Sequence, residues 1–241
     1  MGQAVLLLTN DDGVEAPGLA ALRAAADGLG DCRVMAPAGP RSGCGHAVTT
    51  HAPLILRDHA PGQVAVEGTP ADCVRMALHR FGPGIAWVLS GINAGGNLGA
   101  DTHHSGTVAA VREAALRGIP GIAISHYIAR GRAVDWDLAA RRAGSVLRSL
   151  MARPPAPGTF WNVNLPHPEP GGPEPDVVFC PVDPSPLPLA YRDEAGGLRY
   201  CGNYQERARQ AAGDVATCFG GRVSVSMVPV MASVWPIDGP D

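Results

Sequence analysis

The sequence predicts an α/β fold built on a doubly wound, mostly parallel β-sheet. Short apolar runs of strand character alternate with Ala- and Leu-rich helical stretches, and the connections between them are short as far as residue 151. This alternation is typical of a parallel sheet that helices cover on both faces. With 241 residues, 46% of them hydrophobic, the chain is long enough to bury one substantial core. We therefore expect a single domain over residues 1–241.

The first apolar run shows how the strands are identified. Residues 4–9 are continuously apolar and then become polar, which is the pattern of a strand buried on both faces of a parallel sheet. The same criteria predict strands at residues 32–36, 64–67, 86–90, 120–125 and 222–230. The pattern is weaker in residues 47–56, which look extended, and in residues 160–165, which we expect to return to the sheet.

The helices are identified by composition and by their first residues. Thr69 is a candidate N-cap, Pro70 occupies the first helical position, and Asp72 lies in the first turn, where the helix dipole favours a negative charge. Ser105 is likewise a candidate cap. The predicted helices are residues 17–26, 70–81, 105–117 and 137–151.

The chain changes character after residue 151. Residues 153–158, 166–175 and 184–188 are proline-rich, and residues 189–200, centred on Gly196-Gly197, have the pattern of a β-hairpin. We therefore expect a peripheral proline-rich arm and hairpin over roughly residues 167–210.

Charge and composition exclude several functions. The formal net charge is −3 without a basic stripe, so we expect neither a nucleic-acid polymer nor a membrane as partner. All 19 basic residues are arginine, which excludes lysine Schiff bases and the GxxxxGK[ST] phosphate loop. The six cysteines form no CxxC pair, and we expect reduced thiols. No signal-like or membrane-length apolar run opens the chain, so the expected compartment is the cytoplasm.

Polar residues cluster where the predicted strands end. Ligands of open α/β sheets bind outside the carboxyl ends of the strands, so loops at these positions are expected to converge on one edge. The polar residues at these positions are Asp11 and Asp12, Ser42, Asn93 and Asn97, and the helix start Ser105-Gly106-Thr107.

Asp11 and Asp12 are the leading candidates for a metal site. Adjacent carboxylates repel each other unless a cation relieves the repulsion. Two carboxylates, a serine hydroxyl and an asparagine amide oxygen form an all-oxygen ligand set, which suits Mg²⁺ or Mn²⁺ better than zinc. Asn10-Asp11-Asp12-Gly13 is equally a turn sequence, and its position after the first strand favours the site.

Ser105-Gly106-Thr107 is a candidate phosphate site. A helix N-terminus offers unpaired N–H groups and a partial positive charge, and a glycine lets an anion approach the backbone closely. The alternative is an ordinary N-cap serine. Residues 91–99 are glycine-rich but contain no GxGxxG, so they do not indicate a dinucleotide site.

Two further residues are weaker candidates. His104, in the pair His103-His104, could transfer protons, and Arg41 could contact a substrate anion. For both, a solvent-exposed loop position is the alternative.

At these residues the sequence resembles the SurE family, the 5′/3′-nucleotidases also known as survival protein E. The matches run in order over roughly residues 5–228. The matching blocks are Leu8-Thr-Asn-Asp-Asp-Gly-Val-Glu-Ala-Pro-Gly-Leu19, Arg41-Ser-Gly43, Gly68-Thr-Pro-Ala-Asp-Cys-Val74, Ser90-Gly-Ile-Asn-Ala-Gly-Gly-Asn-Leu-Gly99 and Ser105-Gly-Thr-Val-Ala-Ala110, and more loosely Asn162-Val-Asn-Leu-Pro166 and Gly221-Arg-Val-Ser-Val-Ser226.

The resemblance implies a Rossmann-like core, metal-dependent phosphatase chemistry and assembly into dimers or tetramers that exchange C-terminal arms. Family members hydrolyse nucleoside monophosphates and often other phosphomonoesters. We therefore expect a small phosphate ester as substrate and a homodimer or homotetramer formed through the C-terminal arm. The implied ligands of one divalent cation per subunit, Mg²⁺ or Mn²⁺, are Asp11, Asp12, Ser42 and Asn93. The implied phosphate pocket consists of Asn97, Ser105, Gly106 and Thr107.

The chain departs from the family pattern near the substrate. His104 stands where the family usually has tyrosine, and Cys44-Gly45-His46 replaces the small or serine residues that usually follow Arg41-Ser42-Gly43. These departures concern nucleotide preference more than phosphatase chemistry.

The expected activity is metal-dependent release of phosphate from nucleoside 5′- or 3′-monophosphates. Asp11 and Asp12 are the expected catalytic residues; the attacking group is a water molecule or one of the aspartates, with Asp12 favoured for nucleophilic or proton-handling work. His104 is the candidate acid for the leaving group. The alternatives are a specialised phosphatase for a sugar phosphate or biosynthetic intermediate, a non-catalytic metal- and nucleotide-binding regulatory module, and an aspartyl-phosphate phosphatase of the DxD type, which adjacent aspartates disfavour.

Overall fold

The structure is a computed structural model, and it describes residues 4–129, 131–169 and 171–231. Within these residues the strands are β1 (Val5–Thr9), β2 (Asp31–Pro37), β3 (Leu56–Ala60), β4 (Gln63–Val66), β5 (Ile85–Ala94), β6 (Gly121–His126), β7 (Thr159–Leu165), β8 (Val177–Phe179), β9 (Tyr191–Glu194), β10 (Gly197–Tyr200) and β11 (Val223–Pro229). The helices are α1 (Pro17–Ala25), α2 (Pro70–Phe81), α3 (Asp101–His104), α4 (Gly106–Leu116), α5 (Trp136–Met151) and α6 (Asp214–Phe219).

Nine strands form one sheet in the order β3-β4-β2-β1-β5-β6-β7-β11-β8. All pairs from β4 to β7 are parallel, whereas β3 and β11 run antiparallel to β4 and β7. This confirms the predicted α/β fold with a mostly parallel sheet. Strand β1 lies between β2 and β5, where the winding direction of the chain reverses. Such a switch point opens a crevice at the carboxyl ends of the strands, where ligands of α/β proteins bind.

Both faces of the sheet are buried. Leu6 and Leu8 of β1 belong to the core under α1 and α5, while Leu7 belongs to the core under α2 and α4. Because successive side chains of a strand alternate between faces, a strand buried on both sides needs an unbroken apolar run. This is the physical reason for the continuous apolar pattern in residues 4–9.

Helix α2 begins with a reciprocal capping arrangement. The Thr69 hydroxyl accepts a hydrogen bond from the Asp72 amide (3.1 Å), and the Asp72 carboxylate accepts one from the Thr69 amide (3.0 Å). The same carboxylate accepts bonds from the amide and hydroxyl of Thr49. Thr49 therefore bonds to α2 rather than to a neighbouring strand, and the stretch predicted as extended, residues 47–56, forms a strand only from Leu56 onward.

Strand β5 is longer than predicted. It continues past Ser90 to Ala94, so Asn93 lies inside the strand rather than after it. Gly91 permits this continuation, because it has φ +136° and a Cβ there would lie 2.2 Å from the Ile124 carbonyl oxygen. Beyond this irregularity Asn93 and Ala94 pair with Ser125 and His126 of β6.

The C-terminal part adds two elements that the sequence pattern did not indicate. Strand β8 pairs with β11 at the sheet edge, and Val215 and Cys218 of α6 pack on Leu98 in a small separate core. The predicted hairpin is present as β9 and β10, and the return to the sheet as β7. The arm boundaries at roughly 167–210 and the single domain over 1–241 stay predictions; residues 1–3, 130, 170 and 232–241 lie outside the described residues.

Candidate active site

A turn after β1 presents the two aspartates. The Asn10 side chain closes this turn, since its Nδ2 donates to the Gly13 carbonyl (2.8 Å) and its Oδ1 accepts from the Gly13 amide (3.2 Å). Asn10-Asp11-Asp12-Gly13 therefore forms a turn, which was the alternative to a metal site. The turn lies at the switch point between β2 and β5, which is also where the candidate site was expected, so the two interpretations do not exclude each other.

Asp11 is buried and tightly held. Its side chain accepts a hydrogen bond from the Thr107 hydroxyl, and its backbone carbonyl accepts one from the Arg41 amide (2.7 Å). Burial raises the pKa of Asp11 above its ordinary value; the Thr107 bond opposes this shift, and the neighbouring charge of Asp12 adds to it. Asp11 thus occupies an environment in which an anion is costly unless a positive charge is added.

Asp12 bonds to β5 next to Asn93, across the switch point. The Asp12 carboxylate accepts a weak hydrogen bond from the Ala94 amide (3.3 Å). The Asn93 Nδ2 donates to the Gly95 carbonyl (2.8 Å), and its Oδ1 accepts no hydrogen bond from the described residues. The amide oxygen of Asn93 is therefore the atom left for a ligand.

Most of the predicted site residues line one cleft of about 370 Å³. The predicted residues that line it are Asp11, Asp12, Ser42, Asn93, Asn97, His104 and Ser105. Thr107 and Gly106 lie behind Asp11 instead. Three residues outside the matching sequence blocks also line the cleft, namely Asp101, Leu187 and Tyr204.

The N-terminus of α4 contacts Asp11 directly. Ser105 caps the helix by accepting from the Val108 amide (3.1 Å), as an ordinary N-cap serine does. A Cβ on Gly106 would lie 2.8 Å from Asp11 Cβ, so the glycine allows the helix to approach the aspartate. Both the hydroxyl and the backbone amide of Thr107 bond the carboxylate of Asp11, so Thr107 holds this carboxylate from two groups.

Asn97 is held by two asparagines of β7. The backbone amide of Asn97 donates to Asn164 Oδ1 (2.8 Å), and its backbone carbonyl accepts from Asn162 Nδ2 (2.9 Å) and Asn164 Nδ2 (3.1 Å). Its own side-chain amide donates to Ser125 Oγ (2.7 Å). Sequence reasoning assigned no role to Asn162 and Asn164. Two amides at positions i and i+2 of an apolar strand were the available signal, since they share one buried face.

The arm supplies one wall of the cleft. Tyr204 donates a hydrogen bond to Asp101 (2.5 Å), and the buried Arg207 donates to the same carboxylate (2.8 Å). Burial and the charge of Asp101 raise the pKa of the Tyr204 hydroxyl, so it remains protonated. No local sequence pattern predicts this contact, because more than 100 residues separate Tyr204 from Asp101.

The residues that depart from the family pattern are adjacent in the structure. The Gly45 amide donates to the His104 carbonyl (3.2 Å), and His46 bonds Glu113 of α4 (3.0 Å). His104 is exposed and borders the cleft. The Arg41 side chain is exposed and is not among the cleft residues, so Arg41 supports Asp11 through its backbone.

The donor set fits a hard divalent cation. Among the described residues no group of three or more His, Cys, Asp or Glu side chains is arranged to hold a metal, which leaves a set with two carboxylates. Asp11 and Asp12 share the cleft with the hydroxyl of Ser42 and the amide oxygen of Asn93. An ion that prefers oxygen and retains water ligands suits such a set, and its charge would offset the burial and the repulsion from Asp12 that together raise the pKa of Asp11.

Comparison with known proteins gives consistent matches. The family described as "Survival protein SurE" matches residues 6–180. A putative 5′-nucleotidase of Nostoc sp. is 48% identical over 225 residues, covering 93% of this chain and 99% of the relative. The 5′-nucleotidase SurE of Geobacter metallireducens is 44% identical, covering 67% of this chain and 64% of the relative. The crystal structure of the SurE protein from Aquifex aeolicus superposes with a TM-score of 0.82 at 29% identity, covering 95% of each chain.

Proposed function

Because this chain belongs to the SurE family, we propose that it is a divalent-metal-dependent phosphomonoesterase that releases phosphate from nucleoside 5′- and 3′-monophosphates. It is a phosphoric monoester hydrolase whose relatives are named 5′-nucleotidases. One observation carries the assignment of the site: the carboxylates of Asp11 and Asp12 share a cleft with Asn93, Asn97 and the Ser105 end of α4. This shared cleft supports a cation site next to a phosphate site.

The family is metal-dependent, and we propose Mg²⁺ or Mn²⁺ as the cation. Asp11, Asp12, Ser42 and Asn93 would hold it. When bound, the cation supplies Lewis-acid polarisation of a phosphate oxygen and offsets charge that develops during hydrolysis. Thr107 keeps the carboxylate of Asp11 in place through its hydrogen bond, so that the ligand is oriented before the metal arrives.

The phosphate would bind at the N-terminus of α4. The first amides of a helix have no partner within it, and the helix dipole adds partial positive charge there. The hydroxyl of Ser105 and the backbone amide of Gly106, together with the side chain of Asn97, would hold phosphate oxygens that carry negative charge in the transition state, while Thr107 holds Asp11 beside them. The asparagines of β7 fix Asn97 for this task.

Two residues would handle protons. Asp12, which is less buried than Asp11, would accept the proton of the water molecule that attacks phosphorus. The bond between phosphorus and the ester oxygen then breaks, and His104 at the rim would protonate the leaving nucleoside oxygen. Leu187 and Tyr204 would form the wall against which the nucleoside lies.

The test is phosphate release from 5′-AMP, 5′-GMP, 3′-AMP and ribose 5-phosphate, with EDTA and after adding back Mg²⁺ or Mn²⁺. We expect EDTA to abolish activity, either cation to restore it, and kcat/KM to be highest for a nucleotide. A higher kcat/KM for the sugar phosphate would identify a specialised phosphatase. Tight AMP binding without phosphate release in either cation would identify a regulatory module.

We further propose a cytoplasmic homodimer or homotetramer formed through the arm. All six cysteines are free thiols, which supports a reducing compartment. No helix in the described ranges has the length and apolar character of a membrane span.

On the arm, Leu189 (89% exposed), Leu198 (66%) and Tyr191 (56%) place apolar surface in solvent, which supports a second protomer that covers it. Light scattering on the purified chain measures the assembly, and a monomer would contradict this proposal.

A further inference from the structure

A second cavity, of about 570 Å³, lies at the carboxyl ends of β6 and β7. It is bordered by His126 at the end of β6, by His167 just after β7, and by Arg142 on α5. None of these three residues lines the cleft that contains Asp11 and Asp12. Cavities of this volume hold small molecules, and strand ends are the usual binding edge of this fold. We refer to it as the β6–β7 cavity.

His126 presents a single free acceptor atom to this cavity. The residue is 4% exposed, and its Nδ1 lies 2.8 Å from the Tyr127 carbonyl oxygen. A carbonyl only accepts hydrogen bonds, so Nδ1 carries the proton of the neutral ring and Nε2 is an acceptor. Nε2 has no hydrogen-bond partner among the described residues. Burial lowers the pKa of His126 to about 4, which keeps the ring neutral at physiological pH.

His167 lies next to His126, and its ring proton already has an acceptor. Its Nδ1 accepts from the Ala129 amide (3.2 Å), so the proton of the neutral ring is on Nε2, and the Ala133 carbonyl accepts from this ring. Burial also lowers the pKa of His167. The two imidazole rings are perpendicular, with centroids 5.0 Å apart. Of the two rings, His126 therefore offers the free acceptor, to which a hydroxyl group of a ligand could donate.

Arg142 adds a buried positive charge whose counter-ion is replaceable. Its side chain is 8% exposed, and its Nε and Nη2 bond the two carboxylate oxygens of Glu174 at 2.9 and 3.1 Å. Glu174 itself is 67% exposed on the proline-rich segment after β7. An exposed carboxylate contributes little net stability to such a pair. A ligand carboxylate could therefore take over the same two hydrogen bonds, which suit the geometry of a guanidinium.

We propose that the β6–β7 cavity is a second binding site, separate from the catalytic cleft, for a small polyhydroxy carboxylate. The ligand carboxylate replaces that of Glu174 on Arg142, and a ligand hydroxyl donates to Nε2 of His126. A carboxylate without hydroxyls leaves this ring nitrogen unmatched. A neutral sugar leaves Glu174 in place and gains no charge pairing.

The test uses the full chain with saturating Mg²⁺ and D-gluconate as the probe, titrated by calorimetry. We expect saturable binding with a Kd of about 1 mM or tighter, and at least ~10-fold weaker binding of hexanoate and of glucose. Arg142→Met should weaken gluconate binding ~10-fold or more. Arg141→Met, at the neighbouring exposed residue of the same helix, is the matched control and should leave it unchanged. Asp12→Asn should also leave it unchanged, because the catalytic cation is not involved.

Nitrogen-detected NMR of the histidine rings provides a readout on the unaltered protein. Gluconate should shift the Nε2 resonance of His126 more than that of His167 and leave both tautomers as assigned. His126→Phe keeps a ring of similar size without the acceptor, and should weaken binding if Arg142→Met does not fold. Absence of saturable binding, equal affinity for hexanoate, undiminished affinity in these variants, or loss of binding in Asp12→Asn would each overturn the proposal. None of these outcomes bears on phosphate release, so the two proposals fail independently.

Discussion

The hydroxyl of Thr107 donates a hydrogen bond to the carboxylate of Asp11, across 96 residues of sequence. This bond joins the turn after β1 to the start of α4, which are the two segments assigned to the cation and to the phosphate. Both residues are buried, so the bond is shielded from competing water. It is a direct contact between the two proposed halves of the site.

Replacing Thr107 by valine should therefore damage both stability and catalysis. Valine keeps the shape but removes the hydroxyl that donates to the buried Asp11 oxygen, which costs about 1–3 kcal/mol. We expect this loss in urea unfolding of the metal-free protein, together with reduced kcat for AMP. Thr107→Ser retains the hydroxyl and is the control. A valine variant with unchanged stability and unchanged kcat would show that the bond positions nothing.

Gly106→Ala tests the close approach of α4 to Asp11. The new Cβ would lie 2.8 Å from Asp11 Cβ, so helix and aspartate must separate. Because catalysis depends on placement at the ångström scale, we expect kcat to fall roughly 10- to 100-fold. Gly84→Ala is the matched control, since no atom lies within 4 Å of the added Cβ there. Equal kcat values for the two variants would contradict the contact.

Asp12→Asn tests the role of the second carboxylate. It removes one negative charge from the proposed cation site and the proposed proton acceptor, so kcat with AMP in Mn²⁺ should fall on the order of 10²-fold or more. Asp58→Asn alters an exposed aspartate on β3 and serves as the control. Wild-type turnover by the Asp12 variant would remove that residue from the mechanism.

Arg207→Met tests the link between the arm and the cleft. The Arg207 side chain is fully buried and pairs with Asp101, and truncating one member of such a pair leaves the other charge uncompensated. We expect a loss of about 3 kcal/mol or more in the free energy of unfolding. Arg209→Met, at an exposed arginine of the same segment, should change it by less than about 1 kcal/mol. Comparable losses in both variants would argue against a specific role of the buried pair.

The lowered pKa of Asp72 predicts a loss of stability in acid. Burial raises its pKa, but the hydrogen bonds from Thr69 and Thr49 outweigh this effect and leave the pKa below its ordinary value. The carboxylate therefore stabilises the fold above the pKa of the unfolded chain, about 3.9, and this contribution is lost as the pH falls through the folded-state pKa. The difference in unfolding free energy between wild type and Asp72→Asn should be constant near neutrality and shrink below about pH 4. A difference that grows in acid would reverse the sign assigned here.

Local patterns were enough to predict the elements that depend on local physics. The run Leu6-Leu7-Leu8 predicted a strand buried on both faces, and its side chains alternate between the two cores. Thr69 and Asp72 predicted the start of α2, and they form its cap. Because ligands of open α/β sheets bind at the carboxyl ends of the strands, Asp11, Asp12 and Ser105 were expected to lie close together, and all three line one cleft.

The contacts that sequence reasoning missed are long-range. Asn164 reaches Asn97 from a strand 67 residues away, and Tyr204 reaches Asp101 from the arm. Such pairs are decided by which strands become neighbours and how the arm packs, and no local periodicity encodes either. The extension of β5 to Asn93 likewise depends on the approach of Gly91 to Ile124 on the adjacent strand.

The arm contact between Tyr204 and Asp101 also bears on how the protein is made. During translation, the chain emerges from its first residue onward, so the proposed metal ligands, up to Asn93, leave the ribosome well before Tyr204. A nascent chain can therefore assemble the cation half of its pocket while the face proposed to meet the nucleoside is still missing. Until the arm docks, that early pocket would offer a bound phosphate ester an open side to water, and selectivity among esters would arise only after the arm has been synthesised and has docked.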